Sequence, residues 1–247
     1  MAQSSSIEDR MLTPKRIHEE ELLDQGAGCD DDVARNLADL RRINRLLGGT
    51  RVIRRAIQAG LNGDRPRSLS LLDVGTGSAD IPAAIARWWE RIGIQSTLVS
   101  LDLSERNLRI ARSRFPLDPS IAIVRGDALR LPFAADEFDF VTASQFLHHF
   151  KDDEAVLLLS EFARVARRAV IVGDLVRNFV PYWFIRIAGP VLTTSFLTRY
   201  DGPLSVLRGF TVEDLRVLAA RAGLTNCTVR QVFPYRVMLV APIARNG

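Results

Sequence analysis

The 247-residue sequence predicts an α/β fold: a doubly wound, seven-stranded, mostly parallel sheet. Three observations predict it. From residue 68 onward, short apolar runs alternate with segments of helical periodicity. The first run, Ser68 to Val74, leads directly into Gly75-Thr76-Gly77 and then a helix start. Glycine in such a turn allows unusual backbone angles and lets a ligand approach the main chain. The last two runs, 228–233 and 236–242, are separated only by Pro234-Tyr235 and so form a hairpin. The organisation is a helical extension over 1–65 and a sheet domain over 66–247, with an insertion at 176–207.

Residues 1 to about 15 are Ser-rich, charged and aperiodic, as expected of disorder. Arg16 to Asp24 reads as a short helix with Ile17, Leu22 and Leu23 inward. Cys29-Asp30-Asp31-Asp32 caps a clearer helix from Val33 to Leu47, with Leu37, Leu40 and Ile43 on one face. A third helix spans Arg51 to Ala59, between Gly48-Gly49 and Gly60. After the first strand, Ser78, Asp80 and Pro82 open a helix over Ile81 to Arg91 whose Trp88-Trp89 belongs to the core. Strand two is Ser96 to Leu101, Ser104 caps the next helix, and strand three is Ile121 to Val124. Strand four is 138–143, a helix runs from Asp152-Asp153 to about Arg167, and strand five is 169–172. The insertion is rich in aromatics and is interrupted by Arg186, Gly189 and Pro190. Thr211-Val-Glu-Asp214 resembles a capping box for the last helix, which Gly223 stops.

Hydrophobic residues make up 47% and charged residues 25%, as in an ordinary globular domain. Net charge is +4, and Lys15 and Lys151 are the only lysines. The arginines are spread along the chain and form no basic block, so a nucleic-acid partner is not expected. Cys29 and Cys227 match no metal or disulfide spacing, which suits a reducing, cytoplasmic setting. The first residues carry no secretory pattern, and no apolar run is long enough to span a membrane, so stable membrane insertion is not expected.

A dinucleotide fingerprint would place a third glycine at position 80, where this chain has Asp80. That carboxylate disfavours a pyrophosphate and suits a ligand bearing an amine or a sulfonium. Asp73-Val-Gly75-Thr76-Gly77 resembles motif I of class I S-adenosylmethionine-dependent methyltransferases, and later segments resemble that family in order over roughly 68–241. The resemblance implies S-adenosylmethionine as cofactor and S-adenosylhomocysteine as product. It implies a Rossmann-like methyltransferase fold and cofactor contacts from Asp73, Gly75, Thr76, Gly77 and Asp80. It further implies ribose contacts from Asp102, an adenine face at Leu103, and adenine recognition by Asp127 beside Ala128. Ser144, just past strand four, completes the implied cofactor set.

Within the family, the chain looks closest to quinone-biosynthesis and polyketide-tailoring enzymes. It lacks the Asn/Asp-Pro-Pro-Tyr/Phe motif of base amine methylation. It also lacks the Asp and Asp-Asn pattern of metal-dependent catechol enzymes, having Ser144-Gln145 and Asp174-Leu175 there, so no metal is expected. The expected reaction is methylation of a hydroxyl on an apolar phenolic or polyketide-like molecule in bacterial secondary metabolism. Carbon or nitrogen methylation of a quinone-like molecule, and a non-methylating role, are the alternatives. Either His149 or His148 is the expected general base, since imidazole titrates near neutral pH, with Asp174 as orienter or second base. The extension 1–65 and insertion 176–207 are expected to act as lids. A homodimer is compatible with this reading.

Overall fold

The structure is a computed structural model and describes residues 12–46, 48–115 and 120–243. Residues 1–11, within the expected disordered tail, and Leu47, at the end of the second predicted helix, lie outside the described residues.

The sheet has seven strands in the order β3-β2-β1-β4-β5-β7-β6. They are β1 Ser68–Val74, β2 Gln95–Asp102, β3 Ile121–Arg125, β4 Phe138–Ser144, β5 Ala166–Leu175, β6 Thr228–Val232 and β7 Arg236–Pro242. β1 to β5 pair in parallel, whereas β7 is antiparallel to both β5 and β6. The order reverses between β1 and β4, and at such a switch point the strand ends diverge to leave a crevice.

Helices α1 Asp30–Leu46 and α2 Gly49–Gly60 precede the sheet. Helices α3 Asp80–Arg91, α4 Glu105–Arg114 and α5 Asp152–Val165 connect the parallel strands. Helices α6 Phe179–Leu192, α7 Phe196–Arg208 and α8 Val212–Arg221 separate β5 from β6. Central strands are apolar on both faces because helices cover both. Leu71 and Phe140 enter a core with Ile57, Ile85 and Trp89 from α2 and α3. Their neighbours Leu72 and Val141 enter the opposite core with Leu159, Phe162 and Leu218 from α5 and α8.

Several expectations need correction. Residues 16–24 form no helix. Their polar groups are claimed by distant partners instead: the Leu22 and Leu23 N–H groups donate to Asp201 at 2.8 and 3.2 Å. Arg16 donates to the carbonyls of Arg208 and Phe150. This segment is a strap laid across α7 and the loop after β4. Ser78 does not cap α3, which starts at Asp80 behind Ala79 in the left-handed region at φ 55°. α5 stops at Val165, and β5 takes Ala166 to Arg168, because Arg167 and Arg168 bind the turn before β4 through the Asp136 carbonyl and Asp139. Pro190 does not interrupt the insertion; α6 continues through it to Leu192. The capping box of α8 forms, with the Asp214 N–H donating to Thr211 Oγ at 3.1 Å and the Thr211 N–H to Asp214 at 2.9 Å. Among the described residues, no helix is long and apolar enough to cross a membrane.

Arg208, only 4% exposed, holds the strap down by donating to the carbonyls of Glu19, His148 and His149 at 2.7, 3.2 and 2.7 Å. An Arg208→Met variant keeps the volume but removes the donors. It should lose ~1.5–3 kcal/mol in urea unfolding, the scale of hydrogen bonds to a charged group. Hydrogen exchange should also rise over residues 16–24, and unchanged exchange there would show that the strap is held elsewhere.

Candidate active site

The glycine turn after β1 is set by backbone chemistry. Gly75 and Gly77 sit at φ 67° and 56°, where a side chain would be strained. A Cβ on Gly75 would lie 2.1 Å from the Phe146 ring, so only glycine fits beneath that ring. Asp73, 2% exposed, accepts from Thr76 Oγ1 at 2.8 Å and Thr142 Oγ1 at 2.7 Å, which ties the turn to β4. Burial, opposed by those hydrogen bonds and helped by nearby Asp80 and Asp102, raises its pKa to about 7. Asp102 ends β2, accepting the Gly77 N–H at 2.8 Å on one oxygen. Its other oxygen accepts the Ser104 N–H at 2.9 Å and the Asn107 amide at 3.3 Å. Burial raises the pKa of Asp80 and Asp102 as well.

A cavity of about 70 Å³ adjoins this turn. Asp73, Gly75, Thr76, Gly77, Asp80 and Ser144 line it, together with Leu37 and Leu40 of α1. The Ser144 hydroxyl is buried without a hydrogen-bond partner. Asp102 is linked to this group through Gly77. Leu103, Asp127 and Ala128 lie outside the cavity lining, farther along the same sheet edge. Leu103 is 62% exposed, and Asp127 is exposed and caps a short 3-10 turn by accepting the Leu129 N–H. Ala128 is buried beneath that turn.

The histidines occupy a second short turn, Leu147–His149, after β4. Their rings stack with centroids 4.3 Å apart but differ in surroundings. His148 is buried. Its Nδ1 lies 2.6 Å from Asp174, and its Nε2 lies 3.4 Å from Glu21. Burial alone would lower its pKa, but the charges and hydrogen bonds of Asp174 and Glu21 push it up to about 10. Burial would likewise raise Glu21, yet the hydrogen bond from His148 and both histidine charges hold it at about 2. Asp174 stays depressed by its contact with His148 despite complete burial. His148 thus lies between two carboxylates that favour its charged form, with Asp174 fixing one ring nitrogen.

His149 is more open, with 20% of its side chain exposed, and its Nδ1 lies 2.7 Å from Asp24. A carboxylate on one ring nitrogen fixes the tautomer and orientation of the ring. Glu21, His148 and His149 also bring one ligand atom each within 4.8 Å of one another, though all three are engaged in the pairs just described.

Sequence reasoning missed Glu21, Asp24, Leu37, Leu40 and Arg208. Arg236 is a further omission. It is buried, and donates at 3.0 Å to Asn44, which lines the cavity. The strap residues carry no local motif; only the tertiary fold brings them to the histidines.

The buried cluster makes stability depend on pH at both ends. The raised His148 contributes stability fully below its ordinary 6.5, and that stability is lost as pH rises through about 10. The lowered Glu21 contributes above its ordinary 4.5, and that is lost as pH falls through about 2. His148→Ala leaves two buried carboxylates unpaired and should cost ~3–5 kcal/mol, while flattening the alkaline limb of melting temperature against pH. An unchanged alkaline limb would place its origin in other groups.

Comparison with known proteins agrees with this geometry. A family model described as "Methyltransferase domain" matches residues 71–169. The chain is 34% identical over 96 residues to demethylmenaquinone methyltransferase of Staphylococcus carnosus, covering 39% of this chain and only 38% of that protein. It is 32% identical over 200 residues to demethylmenaquinone methyltransferase of Beutenbergia cavernae, covering 81% of this chain and 70% of that protein. Among solved structures it shares its fold with human N-acetylserotonin methyltransferase in complex with S-adenosylmethionine, at TM-score 0.62 and 13% identity, covering 94% of this chain and 63% of that one. The residues fit this cofactor: a positive-φ glycine turn that a Cβ would fill, and buried carboxylates suited to a cationic ligand. S-adenosylmethionine is the cofactor, and Asp73, Gly75, Thr76, Gly77 and Asp80 line the cavity at the glycine turn. The chain belongs to the class I S-adenosylmethionine-dependent methyltransferases.

Proposed function

We propose that the enzyme methylates a ring carbon of an apolar, quinol-like small molecule. The observation that carries this reading is the Beutenbergia relative, named as a methyltransferase of demethylmenaquinone and aligned over 81% of this chain. Hydroxyl methylation was the expectation from sequence; the named relatives favour the alternative weighed there, transfer to carbon of a quinone-like acceptor. The insertion supports an apolar acceptor: Trp183, Phe184 and Ile187 on α6 are 54%, 61% and 72% exposed. Strap and insertion together act as lids over the site, the strap supplying Glu21 and Asp24 to the histidine turn.

When bound, the cofactor supplies an electrophilic methyl on a sulfonium, and the protein must position a nucleophile and exclude water. His149, oriented by Asp24, takes the proton of the acceptor hydroxyl and so raises electron density on the adjacent ring carbon. Once that carbon carries the methyl, it gives up its own hydrogen as a proton to solvent. His149 returns its proton to the oxygen, restoring the aromatic quinol. His148, favoured in its charged form, holds His149 in stacking contact and anchors the strap.

Mass fragmentation and NMR of the product formed from a reduced naphthoquinone should place the new methyl on carbon. A methoxy signal would restore hydroxyl methylation. His149→Ala should lower kcat by ~10²–10⁴ while retaining cofactor affinity, with partial recovery at high pH. Near-wild-type kcat would remove His149 as the base.

Asp73 sets a second expectation. Because its pKa is raised to about 7, it gains charge as pH rises through that value. Affinity for the cationic S-adenosylmethionine should increase over the same interval, and Asp73→Asn should flatten the dependence in calorimetry. A flat wild-type profile would show that Asp73 stays in one protonation state.

A further inference from the structure

We propose that an arginine-lined cleft among α1, α2, α3 and α4 is a second binding site, for a compact molecule carrying two or more phosphate groups. The cleft has a volume of about 740 Å³, within the range of small-molecule sites. Eight arginines line it, drawn from all four helices, against one carboxylate, Asp80.

Among the described residues, these arginines are set apart by how few hydrogen bonds and ion pairs they make, although Arg54 and Arg114 lie over the rings of Trp88 and Phe115. Elsewhere, arginines such as Arg106, Arg164 and Arg208 are tied to carboxylates and carbonyls. Among the described residues, only Arg42 of the eight forms an ion pair, with Asp39 at 3.6 Å. Two donors are buried with no acceptor, Arg54 Nε and Arg114 Nη1. Buried donors are normally satisfied, and unmet ones call for an explanation. The charges also converge: after burial, the field of Arg41 and then that of Arg87 lower the pKa of Arg114, against the pull of Asp80. A planar guanidinium fork matches phosphate oxygens two at a time, and several forks around one concavity match an oligophosphate.

The ligand class follows from shape as well as charge. A nucleic-acid backbone needs a track of phosphate contacts along a groove. These arginines instead surround one cavity. Asn44 and Asp80 line both this cleft and the smaller cavity at the glycine turn, so the two sites are neighbours. The proposal does not depend on which acceptor the enzyme methylates.

Calorimetric titration with tripolyphosphate at physiological ionic strength tests it. Wild-type protein should bind, and Arg87→Glu/Arg114→Glu should weaken binding by about 10-fold or more, with S-adenosylhomocysteine affinity retained as evidence of folding. If that variant does not fold, Arg87→Gln/Arg114→Gln gives the same readout. A control, Arg216→Glu/Arg221→Glu on the remote helix α8, should bind as wild type. Absence of binding at millimolar tripolyphosphate, equal loss in the control, or sulfate binding as tightly would overturn the site. Displacement of tripolyphosphate by a single-stranded RNA oligonucleotide that binds more tightly and is lost in the same variant would assign the cleft to nucleic acid and overturn the small-molecule reading.

Discussion

The buried His148, charged between two carboxylates, is the constraint around which the histidine turn is built. A charge taken out of water is costly unless opposite charges and hydrogen bonds replace the solvent. Here Asp174 at the end of β5 and Glu21 of the strap supply those charges. Asp174 is itself satisfied: it accepts from the His148 ring and the Leu175 N–H on one oxygen, and from the His148 backbone N–H on the other. Glu21 accepts from Ser205 at 2.7 Å. The cluster therefore joins four separate pieces of chain: the strap, the turn after β4, the end of β5, and α7. A pair of charges this well satisfied holds geometry more than it adds stability, because hydrophobic replacements of buried pairs are often neutral. Its value lies in fixing where the neighbouring His149 ring stands.

The same logic operates, with opposite sign, at the glycine turn. Asp73, Asp80 and Asp102 converge near one backbone loop, and burial raises the pKa of each. Three acidic groups that repel one another and lack a basic partner in hydrogen-bond contact favour a cation. A pyrophosphate would meet this field unfavourably, despite the helix N-terminus beside it. Substituting Asp80 for the third glycine of a dinucleotide fingerprint therefore changes ligand charge as well as loop shape. The arginine cleft lies just beyond Asp80, so the sign of the local field reverses across a single residue.

The sheet was legible because its central strands are buried on both faces and its apolar runs are punctuated by glycine and aspartate. All seven were placed to within a few residues, and β1 to the residue. The cofactor turn was legible because its chemistry is local: Gly75, Thr76, Gly77 and Asp80 lie within six consecutive positions. What could not be read was everything made by distance in sequence. The strap has helical spacing, but Asp201 takes the N–H groups of Leu22 and Leu23. Which histidine is favoured in its charged form depends on Glu21 and Asp174, 127 and 26 positions from His148. The arginines of the cleft run from Arg41 to Arg114, so a search for a contiguous basic block passes over them.

Access to the cofactor site follows from comparing what can yield. The cavity at the glycine turn, about 70 Å³, is far below the ~300–1,000 Å³ of small-molecule sites, so binding the cofactor requires displacement. β1 and β4 cannot supply it, since their ladder and the Asp73–Thr142 hydrogen bond fix the floor. Leu37 and Leu40 of α1 form the roof, and Phe146 lies over Gly75. α1 meets the sheet directly where Arg236 of β7 donates to Asn44. It is tethered to α7 by Asn36 and Asp39, which bond to Thr198, and by Asp39 to Thr193. These polar tethers are part-buried and lie beside a small apolar cluster of Val33, Leu37 and Leu197 that also joins α1 to α7. α1 is held on several sides: by Thr193 and Thr198 of the insertion, by Arg106 and Arg109 of α4 through Asp30, and by Arg236 of β7. The tethers to Thr193 and Thr198 join the roof of the glycine-turn cavity to the insertion that carries the exposed Trp183, Phe184 and Ile187.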